Sequence, residues 1–224
     1  MFVPSEIVQR KVLLALEVVD AVTLQRLTHG LRVIAYGLAG QPIINLSDRF
    51  VWLQEGNSWP EEIRVDPQSL PFLPPLPLRP ARPSGALPPC IPVILAPNAA
   101  YPFPDGVLAL RGALKESAAP DAAVIHPARL ELKWRYDEGE PWRSGSTSNT
   151  DLRGSFALFA RTSGSSLRAD GLVSVRIDVM RDSNTKTTGD GFAFFQDPYP
   201  KGCLRDARLH TRPVLLAWNT LAGA

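Results

Sequence analysis

The chain has 224 residues, 45% hydrophobic and 21% charged, with a net charge of +2. This is the composition of a globular protein of one or two domains; it excludes a chain disordered throughout, and so small a charge points to neither nucleic acid nor an anionic membrane. Proline is the outlier at 22 residues, twice the usual share of about 5%.

The N-terminus, Met1-Phe-Val-Pro-Ser-Glu6, lacks a basic region, and the apolar stretch after it is broken by Glu17 and Asp20. No secretory signal is expected. No stretch approaches the ~20 apolar residues of a membrane-spanning helix. Location in the cytoplasm, or in a particle assembled there, is the expectation. Within that stretch, Val12–Val19 reads as a strand because its branched residues recur at period two. A helix across Glu6–Thr23 is the competing reading. Leu31–Tyr36 is a second strand, entered through the turn Thr28-His29-Gly30. Arg49–Leu53 is a third, after the turn Ser47-Asp48, and Ile63–Val65 a fourth.

Fourteen of the 22 prolines then fall between Pro60 and Pro104. Proline fixes φ and removes a donor, so this region is expected to be neither helix nor central strand. Residues 67–104 therefore read as a semi-rigid, extended connector between two folded units. Leu70, Phe72, Leu73, Leu76 and Leu78 give it apolar surface that favours docking, on this chain or on a partner, and make it a candidate interface.

Beyond the connector, Val107–Gly112 opens a second set of strands. Ala128–Tyr136 alternates cleanly, with Leu130, Leu132, Trp134 and Tyr136 on one face and Arg129, Glu131, Lys133 and Arg135 on the other. That is the pattern of a half-buried antiparallel strand. Ser155–Ala160, Leu172–Met180, Phe192–Phe195 and Val214–Trp218 complete the series. Short strands at this spacing, separated by Gly/Ser/Asn/Asp turns, specify an all-β sandwich or barrel.

Chemistry-bearing motifs are sparse. His29, His126 and His210 show no metal-ligand spacing, and no Gly-x-Ser-x-Gly elbow accompanies them. Cys90 and Cys203 are isolated, too few for a structural zinc site. Asp178–Gly191 carries oxygen donors, but Lys186 interrupts the calcium-loop order and no Glu closes it; a hairpin turning at Gly189-Asp190-Gly191 is the simpler reading. Phosphate-binding glycine motifs are missing, so no cofactor is expected. Trp59 and Trp142 are candidate ligand-stacking residues, the latter beside Asp137, Glu138 and Glu140.

The two halves share a local pattern: Ser47-Asp48-Arg49-Phe50-Val51-Trp52 echoes Thr150-Asp151-Leu-Arg-Gly154-Ser-Phe156-Ala-Leu158. In each, a polar turn with an Asp delivers the chain into a strand that begins with an aromatic. With Leu110-Arg-Gly112-Ala-Leu114 and Leu130–Tyr136, the second half resembles the carboxypeptidase-regulatory-like, transthyretin-like β-sandwich domains. The first half matches more weakly, its turn lacking the glycine and two residues shorter. The resemblance implies small accessory sandwiches that serve as spacers, binding modules or assembly subunits, without catalytic residues of their own.

The sequence thus predicts an all-β chain with two small Ig-like or transthyretin-like sandwich units, 1–66 and 105–224, joined by connector 67–104. The function expected is that of a non-enzymatic adaptor in a larger bacterial protein assembly, such as a phage-tail-like or contractile-injection particle. Its partners would be other protein subunits, homo-oligomeric ones among them, without nucleic acid or a membrane span. A carbohydrate- or cell-surface-binding module is the alternative.

Overall fold

The computed structural model describes residues 11–54, 57–85, 87–104, 107–136, 139–161, 172–188, 192–195 and 214–223, with backbone alone at 172–173 and 192–195. No α-helix occurs among them, and the chain is all-β. The strands among the described residues are β1 (Val12–Asp20), β2 (Arg32–Tyr36), β3 (Ile43–Ile44), β4 (Phe50–Leu53), β5 (Glu62–Asp66), β6 (Cys90–Leu95), β7 (Val107–Lys115), β8 (Arg129–Arg135), β9 (Arg143–Asn149), β10 (Ser155–Arg161), β11 (Leu172–Arg181), β12 (Asn184–Thr187), β13 (Phe192–Phe195), β14 (Val214–Ala217) and β15 (Ala222–Gly223). They fall into two compact units, Met1–Leu95 and Ala96–Ala224.

In the first unit, the nine-residue β1 is central in the order β3-β4-β1-β6, and β2 pairs with β5 apart from it. Leu14, Leu16 and Val18 alternate inward from β1 to join Phe50, Trp52, Ile63 and Val65 in the core. Residues 12–20 are a strand rather than the competing helix because this period-two stripe is buried on one face only; residues 6–10 lie outside the described part. In the second unit, β7 is central in β10-β7-β14, opposed by β15-β12-β11-β8-β9, with β13 also on β11. Leu110, Leu114, Leu130, Leu132, Phe156, Leu158, Ile177 and Val179 fill the space between these two sheets. The alternation read along residues 128–136 holds, with Leu130, Leu132, Trp134 and Tyr136 all buried.

The proline-rich interval does not stand apart from the units. Residues 67–95 belong to the first and 96–104 to the second. Cys90–Leu95 forms β6, parallel to β1. It is an edge strand, the one place in a sheet where Pro92 is tolerated. Further up, Leu78 and Ile63 exchange both backbone hydrogen bonds, at 2.8 and 2.9 Å, so part of the arm lies on the edge of β5.

Each unit repeats the same scheme. In both, the long first strand pairs antiparallel with one neighbour and parallel with a strand from late in the unit, β6 in the first and β14 in the second. Past its end, Asp20 N–H donates to Gln25 O and Leu27 N–H to Val18 O. In the second unit, Glu116 N–H donates to Ala123 O and Ile125 N–H to Leu114 O. Phe50 stands opposite Leu16, and Phe156 opposite the corresponding Gly112. The second sheet follows suit: Ala35 faces Ile63 and Val33 faces Val65, as Leu132 faces Ile177 and Leu130 faces Val179. Gln68 (φ 51°) and Asp182 (φ 53°) make left-handed turns after β5 and β11. Leu78 then bonds to Ile63 where Thr188 bonds to Ile177. The arm occupies the position that β12 holds in the second unit.

The register corrects the repeat as read from sequence. Asn45, not Asp48, corresponds to Asp151, and the two turns have equal length: Asn45-Leu-Ser-Asp48-Arg-Phe50 matches Asp151-Leu-Arg-Gly154-Ser-Phe156. Asp48 (φ 52°) takes the left-handed position that Gly154 (φ 72°) fills. Asp is one of the few non-glycine residues that enter that region at modest cost.

Candidate functional site

Of the five arm residues, Phe72 is buried (7% exposed) and Leu76 stands out in solvent (83%). Leu70, Leu73 and Leu78 are half-buried. Leu70 lies over Gly30, 3.2 Å from where a Cβ would stand. The Trp59 indole N–H donates to Pro80 O at 2.7 Å, and an Arg82 guanidinium nitrogen to Asn57 O at 3.2 Å. Arg79 reaches Glu62 at 3.7 Å. The first unit itself therefore takes up most of the arm's apolar surface, and Leu76 alone of the five faces outward.

The two stacking candidates are engaged within the chain. Trp59 holds the arm and lines a shallow cavity of about 130 Å³ with Arg82, Pro83 and Pro88. Trp142 lies under two guanidinium groups, Arg135 at 4.4 Å and Arg176 at 4.8 Å from its ring centroid. Both cations lie against the π surface of the indole, a favourable electrostatic contact. Arg176 in turn meets Asp178 at 3.2 Å, and Lys133 meets the same carboxylate at 2.6 Å. Asp178 is thus paired with cations rather than turned toward an ion.

The hairpin after β11 turns at Asp182 and Ser183; the turn expected at Gly189–Gly191 lies outside the described residues, as do Cys203, His210, Asp137 and Glu138. His126 Nδ1 is 2.7 Å from Thr150 O. Among the described residues, no three His, Cys, Asp or Glu side chains gather as a metal site would require, and no helix is long and apolar enough to cross a membrane.

The twin turns were legible in the sequence, but their side-chain caps were not. Asn45 Oδ1 accepts from Ser47 N–H and Arg49 N–H at 3.0 and 3.1 Å. Asp151 Oδ1 accepts from Arg153 N–H and Ser155 N–H, both at 2.8 Å. The residue after each cap is pushed into solvent: Leu46 is 107% exposed and Leu152 81%. Beside Leu46, Ile43 and Ile44 of β3 are about half exposed. The signal was available as Leu after Asn or Asp, four residues before Phe. On the same sheet, Glu17 is hydrogen-bonded by Arg26 and lies 3.5 Å from Arg49. The Arg26 bond, against the opposing effect of burial and with the charges of both arginines, holds its carboxyl below the usual range.

Compared with known proteins, the chain matches no family model, no curated protein and no solved structure.

Proposed function

We propose that this chain is a non-enzymatic structural or adaptor subunit of a larger bacterial protein assembly, a phage-tail-like or contractile-injection particle being the setting that suits it. The observation that carries this reading is the register-equivalent pair Leu46 and Leu152. A single exposed leucine means little. Two at matching turn tips of duplicated units, each held out by the same pair of side-chain bonds, form a repeated contact device, and in the first unit Ile43 and Ile44 enlarge it. Apolar residues presented in this way mark protein–protein contacts. The resemblance to carboxypeptidase-regulatory-like domains agrees with the proposal, since the Asp and Gly of its turn motif perform a definite physical task here, capping the turn and entering left-handed backbone.

The test is a double variant, Leu46→Asp with Leu152→Asp, expressed in the native host. Both positions lie in solvent, so the fold should persist. The proposal expects the variant to be lost from the native complex while its circular dichroism stays unchanged. Undiminished incorporation would refute it.

A further inference from the structure

We propose that the open edge of β2 pairs antiparallel with β2 of a second copy of this chain, with Ile34 on the two-fold axis. Among the described residues β2 pairs with β5 alone. Its free edge can be assigned group by group. Ile63 exchanges both of its backbone bonds with Leu78, so its N–H and C=O point away from β2. Ala35 opposite Ile63, and Val33 opposite Val65, are then non-hydrogen-bonded pairs. Their own N–H and C=O groups project from the far side of β2. Four strong backbone hydrogen-bonding groups thus line an edge that no described strand fills.

The second unit shows what this position is built to hold. The corresponding strand β8 pairs with β11 on one side and with β9 on the other. In the first unit the chain runs from Tyr36 to Ile43 without supplying such a strand, and Ile43 and Ile44 remain exposed. The unit's other edges are guarded in the usual ways, by proline or by covering chain. Pro92 sits in β6, Pro42 immediately precedes β3, and the arm covers β5. The β2 edge carries neither proline nor bulge.

The side chains select a second copy as occupant. Arg32 and Tyr36 are exposed and Ile34 half-buried on the outward face of β2. Antiparallel pairing about Ile34 sets Arg32 against the partner's Tyr36 at both ends, cation beside aromatic ring, with isoleucine against isoleucine between them. The same register places Val33 opposite the partner's Ala35, so all four projecting groups find partners. Such self-complementarity is the requirement of a two-fold interface. The inference is independent of the adaptor reading.

Ile34 would face its symmetry mate in a non-hydrogen-bonded pair, with Cα atoms about 4.5 Å apart, a separation that a disulfide spans. The experiment uses the full chain with Cys90→Ser and Cys203→Ser, to which Ile34→Cys is added, under mild oxidation. The expected result is a disulfide-linked dimer, whereas Arg64→Cys on β5 in the same background stays uncrosslinked. In sedimentation, Ile34→Lys should weaken dimerisation of the natural chain at least tenfold with its β-sheet spectrum unchanged. A monomer at every concentration, or a dimer indifferent to Ile34→Lys, overturns the proposal. If the chain is monomeric but Ile34→Lys abolishes its incorporation into a native complex, the edge belongs to a different protein and the second-copy pairing is likewise overturned. A monomer that still enters the complex overturns the pairing and leaves the adaptor reading standing.

Discussion

Asn45 and Asp151 occupy the same position in the two units, and each gathers two backbone N–H groups onto one Oδ1 atom. One is neutral and one carries a carboxylate, yet both close a turn of the same length. The shared requirement is an acceptor at a fixed distance from the backbone, not a charge. Asp151→Asn should therefore leave the stability of the second unit nearly unchanged. Asp151→Ala, which leaves two donors without their acceptor, should cost about 1–3 kcal/mol. Asp48→Gly should stabilise the first unit by up to about 1 kcal/mol, because glycine enters the left-handed region freely. Chemical denaturation measures all three; a large loss for Asp151→Asn would show that charge, and not geometry, holds the turn.

Phe156 covers Gly112 across the β7–β10 ladder. A Cβ on Gly112 would lie 2.5 Å from Phe156 Cζ and would also strike Val214 O. The ring is completely buried. Phe156→Ala should destabilise the second unit by about 3–5 kcal/mol. Gly112→Ala should be destabilising as well, since neither a neighbouring carbonyl nor a fixed ring can give way. Thermal melts of the two variants read both effects, and a wild-type transition for Phe156→Ala would contradict this packing.

Glu17 confers a pH dependence of definite sign. Its folded carboxyl lies below the ordinary value of 4.5, so its contribution to stability is fully present above that value and is lost as pH falls through the lower, folded one. Glu17→Gln removes that contribution. The stability difference between wild type and variant should shrink as pH falls below about 4.5. Parallel denaturation profiles between pH 6 and 3 would show that the Arg26 and Arg49 contacts do not stabilise the fold.

Much of the architecture was legible because burial writes itself into the side-chain period. β1, β2, β8, β10 and β11 all announce themselves by alternating or continuous apolar residues. The strands that escaped notice lack this mark. β9 reads Arg-Ser-Gly-Ser-Thr-Ser-Asn; it bulges at Gly145 and Ser146 opposite Leu132, and Ser146 Oγ accepts from Phe159 N–H of β10 at 2.6 Å. Small polar residues suit that bulge and resemble a turn in sequence. β6 was hidden by Pro92, although an edge strand tolerates proline. The repeat was visible, but its alignment was not: two aspartates, Asp48 and Asp151, invited superposition, whereas the backbone matches Asp48 to Gly154 by φ.

The arm was expected to dock, and the bonds between Leu78 and Ile63 lie within one chain. In the isolated protein the Leu78 amide should thus exchange as slowly as that of a sheet residue. Trp59→Phe removes the bond to Pro80 O and should loosen the segment by about 1 kcal/mol, a several-fold loss of protection. Exchange of Leu78 at the free-chain rate would mean that the arm docks only on a partner.

The adaptor reading is tested most directly by the size of the native protein. Lysate from the host is fractionated by velocity sedimentation under mild conditions, and the chain is located by antibody. A subunit of a large assembly should travel with a particle far heavier than its own 24.5 kDa, and the Leu46→Asp, Leu152→Asp chain should fall back to the top of the gradient. Native protein found solely as monomer or dimer would contradict the account.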